Sequence, residues 1–340
     1  MTAELGRSIA VMRALQLGDL LCAIPALRAL KRAEPASEIR LIGLPWAEQL
    51  VTRFPGYLAG FLAFPGWPGV AELPFDDERF DVFEDTAAAC RFDLAVQMHG
   101  SGSTSNGFVA AVPARARAGF VPPDAETPPG FLPYPTDRSE VERLLVLAEH
   151  LGATDLDPTL EFPVFAEERV EAQALLAALG VERGAGLACL HPGGRGDDRR
   201  WPAADFAAVA DVLDAAGYTV AVTGSEIDRP VNDVVRAASR APLVDLTGRT
   251  TIGTLGAIIE GAALVVTNDS APSHLAAALR VPSVVIYTGS DRSRWEPLDR
   301  ERHRGVGAGR PDGGPPAPPP PVAEVLAALP IGPGASLSAR

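Results

Sequence analysis

One pattern constrains this chain more than any other. Short runs, apolar at nearly every residue, alternate with amphipathic helical stretches, and the alternation happens twice. In the first half "SIAVMRAL" (8–15) precedes a helix over 20–33, and "EIRLIGLP" (38–45) precedes a short helix. "FDLAVQM" (92–98) then precedes "SGSTSNGFVAAV", with a further apolar run at 114–120. In the second half "GLACLHPG" (186–193), "YTVAVTG" (218–224), "PLVDLTG" (242–248) and "ALVVTND" (263–269) each lead into a helix, and "VPSVVIYTG" (281–289) comes last. Strands without a polar face must be covered on both sides, the condition of a parallel sheet between helix layers. Strands alternating with helices of this length build βαβ units.

The expected fold is therefore α/β: two doubly wound, Rossmann-like parallel-sheet domains facing each other across a cleft. A chain of 340 residues has room for both. The expected boundaries are 1–155 and 166–310, joined by "TDLDPTLEFPVF" (154–165). "VPPDAETPPGFLPYPT" (121–136) is too rich in proline for regular structure and reads as a surface excursion before a helix over 137–153. "AGRPDGGPPAPPPP" (308–321) reads as unable to pack a core. With a closing helix at 322–329, the segment 311–340 is expected to be partly flexible. Ligands of such sheets bind beyond the carboxyl ends of the strands.

Composition removes several classes of function. The formal net charge of −13 argues against nucleic-acid binding, which needs a basic face, and against strong docking on an anionic membrane. No apolar run reaches bilayer-spanning length, and the N-terminus shows no secretory pattern. Cys22, Cys90 and Cys189 lie far apart with no metal-ligand spacing, so a cytoplasmic setting with reduced thiols is expected. The dinucleotide fingerprint, the P-loop and the nucleophile elbow are all absent. The stretch "DRSRWEPLDRERHR" (291–304) carries five arginines and reads either as a solvated loop or as a positive rim near an anion.

The strand ends carry the chemistry. In "HPGGRGDDRRWP" (191–202), Gly193 and Gly194 allow close backbone approach to a ligand, and Arg199 and Arg200 follow just before a helix; solvated arginines are the plainer alternative. In "TNDSAPSHLAAAL" (267–279), Asp269 and Ser270 stand where a strand gives way to a helix. The unpaired N–H groups of that helix start attract phosphate, and either side chain could equally cap it. His274 falls in the first turns, near enough to donate to the same anion. Glu226 and Asp228 in "TGSEIDRP" suit ribose hydroxyls or are solvated loop acids. "HGSGSTSNG" (99–107) is a polar strand end suited to hydroxyl-rich groups. Asp19, in "RALQLGDLLCAIPALRALK" (13–31), either caps its helix or is a carboxylate held for chemistry.

With "LGDLLCAIPALRALK", "FDLAVQMHGS", "HPGG…RRWP", "DLTGRTTIGTLGAII" and "NDSAPSHLAAAL…PSVVIYTGSD…RWEP" in this order and spacing, the chain resembles glycosyltransferase family 9, the heptosyltransferase-like enzymes of bacterial surface polysaccharide assembly. The resemblance runs from about residue 8 to 305. It implies a GT-B fold and an inverting, metal-independent transfer of a sugar, heptose by family default, from a nucleotide-diphosphate donor to a saccharide or lipid-linked acceptor. No cofactor is implied. Asp19 stands at the general-base position, where Leu20, Leu21 and Ile24 are expected to desolvate it. Arg199, in place of the commoner lysine, stands at the phosphate-contacting position, with Arg200 beside it. Asp269, Ser270 and His274 lie in the diphosphate segment, where Ala271 replaces the usual glycine. Asp228, or Glu226 nearby, takes the ribose position, and Gly18, His99 and Ser101 are assigned to the acceptor side. A monomer, with peripheral contact to the cytoplasmic face of the inner membrane for a lipid-linked acceptor, completes the expectation. A silent nucleotide-sugar-binding protein and a sugar-nucleotide epimerase are the alternatives.

Overall fold

A computed structural model describes residues 6–182, 186–310 and 314–330, and the chain divides into two compact units, Met1–Leu160 and Glu161–Arg340. The first unit contains β1 (Ser8–Met12), α1 (Leu17–Ala33), β2 (Glu38–Gly43), α2 (Glu48–Arg53), β3 (Gly60–Ala63) and α3 (Asp77–Cys90). It continues with β4 (Phe92–Gln97), α4 (Ser105–Ala111), β5 (Ala114–Val121), β6 (Phe131–Pro133) and α5 (Glu140–His150). All six strands are parallel, in the order β3-β2-β1-β4-β5-β6. The direction of winding therefore reverses between β1 and β4, and such a switch point leaves a crevice at the carboxyl ends of the two strands. The register sets Met12 beside Gln97, so the loops leaving the two strands start side by side.

The second unit repeats this plan. It contains α6 (Ala166–Ala178), β7 (Leu187–His191), α7 (Ala203–Ala215), β8 (Thr219–Val222), α8 (Arg229–Ala238), β9 (Val244–Asp245) and α9 (Ile252–Glu260). Then come β10 (Leu264–Asn268), α10 (Ala271–Ala278), β11 (Ser283–Ile286), α11 (Arg292–Trp295), β12 (His303–Val306) and α12 (Val322–Ala328). Its parallel sheet runs β12-β11-β10-β7-β8-β9, which is the same winding order with the switch point between β7 and β10. In the second sheet β7, β10 and β11 are buried along their whole length, and in the first β1 and β4 are buried except at Ser8 and Asp93, as strands covered on two faces must largely be. Phe64, Phe83, Phe92 and Phe108 fill one layer of the first unit, and Trp201 and Phe206 anchor the corresponding layer of the second.

Several sequence expectations need correction. The stretch 121–136 is not wholly irregular, because Phe131–Pro133 pairs with Gly119–Val121 as an edge strand. The run ending at 289 is not the last strand, since β12 pairs beyond β11. Helix α1 begins at Leu17 rather than 20, which moves Gly18 and Asp19 from a loop into its first turn. Within the proline-rich segment, residues 314–330 are described. There Pro320 accepts a hydrogen bond from Trp201 Nε1 (2.8 Å), and Val325 of α12 is fully buried in the core over α7. The flexibility expected at 311–313 and 331–340 lies outside the described residues.

Candidate active site

At the first switch point the chain leaves β1 through Arg13, a side chain with no solvent exposure. A buried guanidinium must find partners for its donors, and this one spends them on three elements. Nε donates to the backbone carbonyl of Asp19 (2.7 Å), one terminal nitrogen donates to the Met98 carbonyl after β4, and the other donates to Glu140 Oε1 of α5 (2.9 Å). Glu140 is itself 2% exposed and lies 3.7 Å from Arg143, with the Tyr134 hydroxyl 3.4 Å away. Arg13 thus ties the first turn of α1 to the loop carrying His99. No reading of the sequence singled it out. Its signal was present all the same, as one arginine following an otherwise apolar strand.

Asp19 is half-buried at the third position of α1, and its Oδ2 accepts a hydrogen bond from the Gln16 N–H (3.3 Å). The carboxylate therefore does close the helix start, the plainer of its two sequence readings. Gly18 is buried beside it, and Leu20, Leu21 and Ile24 are directed into the core. Across the switch point, the His99 side chain is only 10% exposed, with Nε2 3.6 Å from Glu72 Oε2. Burial, reinforced by the charge of Arg13 and opposed by Glu140, pushes the imidazole pKa down to about 4, so the ring is neutral at physiological pH. Ser101 lies 3.5 Å from the Ser103 hydroxyl on the same loop. The loop turns at Gly102 with φ +82°, where a Cβ would meet the Phe120 carbonyl at 2.2 Å.

At the second switch point, β7 ends at His191 and passes into Gly193-Gly194. A Cβ on Gly193 would stand 2.3 Å from Asp228 Oδ1, so only glycine lets this loop pass the carboxylate. Asp228 is 8% exposed, and its Oδ2 accepts from the Ser225 N–H and the Ser225 hydroxyl, both at 2.8 Å. Glu226, the other acid of this turn, is exposed and clamped by Arg229 through bonds of 2.5 and 2.6 Å, which holds its carboxyl below the usual carboxylate range. Arg200 turns back to donate to the Gly194 carbonyl (2.8 Å) and pairs with Asp197 (3.0 Å).

Arg199, Asp269 and His274 form one cluster. The guanidinium donates to Asp269 Oδ2 at 2.9 Å and to its backbone carbonyl at 3.2 Å, while His274 Nε2 stands 3.9 Å from Asp269 Oδ1. Asp269 is 4% exposed, whereas the Arg199 side chain is 36% exposed, so the cationic partner is the one offered to a ligand. Ser270 stands at the N-cap of α10, but its hydroxyl donates to the Asn268 carbonyl (3.2 Å) and makes no capping bond. The first turn of α10, starting at Ala271, therefore lacks a side-chain cap. Trp295 lies edge-on to the His274 ring, 6.0 Å between centroids.

Asn268, inside a quoted motif but not singled out from sequence, holds this region together. It has no exposure. Its Nδ2 donates to the Pro192 and Gly193 carbonyls (2.7 and 3.1 Å), and its Oδ1 accepts from the Trp201 N–H (3.0 Å). Among the described residues no group of three or more His, Cys, Asp or Glu could hold a metal ion, and no helix is long and apolar enough to cross a membrane.

Two nucleotide-type sheets, each with polar groups gathered at its switch point, define a two-domain α/β protein of the GT-B class. The sequence identifies the branch of that class. Residues 85–310, more than half of the chain, match glycosyltransferase family 9 (heptosyltransferase), and the chain belongs to that family. It is 33% identical over 162 residues to lipopolysaccharide heptosyltransferase 3 of Escherichia coli K12, covering 46% of each chain. It is also 36% identical over 107 residues to lipooligosaccharide heptosyltransferase 2 of Haemophilus influenzae, covering 30% of this chain and 31% of that one. The matched stretch thus spans under half the length of these curated relatives. Among solved structures, a family 9 glycosyl transferase from Veillonella parvula superposes with a TM-score of 0.76 at 23% identity, over 88% of this chain and 86% of that one. The E. coli ADP-heptose lps heptosyltransferase II superposes with a TM-score of 0.69 at 20% identity, over 89% and 92%. Both likenesses are of fold.

Proposed function

We propose that this chain is an inverting, metal-independent glycosyltransferase that moves a heptose from ADP-heptose to a saccharide or lipid-linked saccharide of a bacterial surface polysaccharide. The observation that carries the reading is the Arg199–Asp269–His274 cluster beside the uncapped start of α10, in a chain of family 9. A partly exposed guanidinium held by a buried carboxylate, beside a helix start without a side-chain cap, suits a nucleotide diphosphate.

In the proposed reaction an acceptor hydroxyl oxygen attacks the anomeric carbon, and the bond from that carbon to the diphosphate breaks on the opposite face. The hydroxyl proton passes to the Asp19 carboxylate. Negative charge grows on the departing diphosphate, where Arg199 and the α10 start stabilise it without a metal. Asp228 is buried and committed to Ser225, and Glu226 is exposed, so Glu226 is the acid we assign to the ribose hydroxyls. The names of the relatives and structural neighbours support the donor assignment by analogy.

A thermal-shift and calorimetry series with ADP-heptose, GDP-, UDP- and dTDP-sugars, in the presence of EDTA, tests the donor. ADP-heptose is expected to raise the melting point most, and a stronger response to another base overturns that assignment. Asp19→Asn is expected to bind donor normally while transfer falls by roughly 10² to 10⁴. Near-normal turnover in that variant removes Asp19 from the mechanism.

A further inference from the structure

We propose that Glu72 and His99 form an acceptor subsite next to Asp19, shaped for a neutral, polyhydroxylated sugar rather than an acidic one. The inference rests on the transferase reading and specifies the substrate class of its acceptor side.

The pair is built by a loop that sequence reading passed over. After β3 the segment 64–76, "FPGWPGVAELPFD", lies against the loop and helix that follow β4. A Cβ on Gly69 would touch Thr104 at 3.2 Å, and one on Gly107 would sit 3.0 Å from Trp67 Nε1. This contact brings Glu72 Oε2 to 3.6 Å from His99 Nε2, just beyond hydrogen-bond length. The His99 side chain is nine-tenths buried, yet its Nδ1 has no hydrogen-bond partner among the described residues. Nδ1 is sealed from solvent, so a ligand meets the ring at Nε2, the nitrogen that faces Glu72. Arg13 places the pair beside Asp19, because it binds both the Asp19 carbonyl and the carbonyl of Met98, the residue before His99.

The chemistry selects the ligand. A sugar hydroxyl set between the two groups donates its one proton to the Glu72 carboxylate and accepts from His99 Nε2–H, which assigns the ring the Nε2–H tautomer when the sugar is bound. The gap of 3.6 Å accommodates an oxygen seated to one side of the pair and bonded to each. The imidazole is neutral at physiological pH and offers no charge to an anion. The neighbouring cation, Arg13, is fully buried and committed to Asp19, Met98 and Glu140. A carboxylate or phosphate on the acceptor would face the Glu72 charge without compensation, whereas a diol would not.

The test uses the full chain with methyl glycosides of a neutral sugar and of a uronic acid. Saturation-transfer NMR reads binding without turnover, and acceptor KM is measured with ADP-heptose as donor. Glu72→Gln and His99→Asn are each expected to raise the neutral acceptor KM by about tenfold or more, as loss of a hydrogen bond involving a charged or buried partner does, with donor KM and donor-induced melting shift unchanged. Glu72→Gln is nearly isosteric, and an unchanged donor response shows that it folds. An unaltered acceptor KM, or stronger binding of the uronate than of the neutral glycoside by the native chain, overturns the subsite. Binding of the neutral glycoside that Glu72→Gln abolishes, without turnover on any acceptor, leaves the subsite standing and overturns the transferase reading instead.

Discussion

The two units wind their strands in the same order, yet they brace the switch point with different chemistry. In the first, Arg13 crosses from the end of β1 to the Met98 carbonyl beyond β4. In the second, Asn268 crosses from the end of β10 to the Pro192 and Gly193 carbonyls beyond β7. The first unit also has a buried amide at the matching strand end, but Gln97 reaches its own loop and β5, through the Gly100 carbonyl, Ser105 and the Phe120 N–H, and leaves the crossing to arginine. A guanidinium brace brings a charge into the core and therefore requires Glu140, with Arg143 behind it. An amide brace needs only carbonyls and an N–H. One topology accepts either solution, and the choice decides where each unit can afford exposed charge. The first keeps its arginine inside and shows carboxylates at the crevice. The second neutralises its core brace and presents Arg199 outward.

The comparison breaks most visibly at Arg13. Replacing it by Met removes a donor from the Asp19 and Met98 carbonyls and deprives buried Glu140 of its closest cation, and loss of one partner from a buried pair typically costs about 3–5 kcal/mol. Chemical denaturation of Arg13→Met should show a loss of that size. Adding Glu140→Gln should recover part of it, and no recovery in the double variant means that charge is not what the brace demands.

Acid should strain both units. Burial lowers the pKa of His99 in the first and His303 in the second to about 4, with Arg13 and Arg302 adding to the effect. Unfolded chains take up these protons near pH 6.5, so between pH 6.5 and 4 the unfolded state binds more protons and stability falls as pH falls. Full stability is held above pH 6.5. Each histidine contributes at most about 3 kcal/mol over that window. Denaturation midpoints at pH 7 and pH 5 check the slope, and His303→Asn should flatten it. An equal slope in that variant assigns the acid sensitivity elsewhere.

The smallest effect is expected at Asn268. In Asn268→Ala the two carbonyls and the Trp201 N–H lose a neutral partner, at about 1–3 kcal/mol for a buried polar group left unsatisfied. A cost equal to that of Arg13→Met would show that the two braces do not differ in the way their charges imply.

Much of this was legible in the chain. The central strands and the helices between them follow from apolar runs and their spacing, because a strand covered on both faces cannot carry polar residues. The edge strands were harder to see. "GFLA", "FLP" and "HRGV" are short, pair on one side only and need little apolar character, so β3, β6 and β12 left almost no trace. The positions of the candidate site residues were legible as well: Gly193, Arg199 and Asp269 lie in the loops that leave β7 and β10, and Asp19 and His274 in the first turns of the helices that follow β1 and β10. Their partners were not. Nothing in the spacing joins Arg13 to Glu140, 127 positions away, or Glu72 to His99.

The sequence by itself determined the central strands, the helices between them and the polar residues that follow those strands, since these follow from local pattern and composition. Strand order, register and the pairing of buried charges were decided only by the tertiary structure. The reason is physical: a buried guanidinium or carboxylate is tolerable only where another element delivers a partner within hydrogen-bond length. Which element does so is a property of how the chain closes on itself, not of any stretch within it.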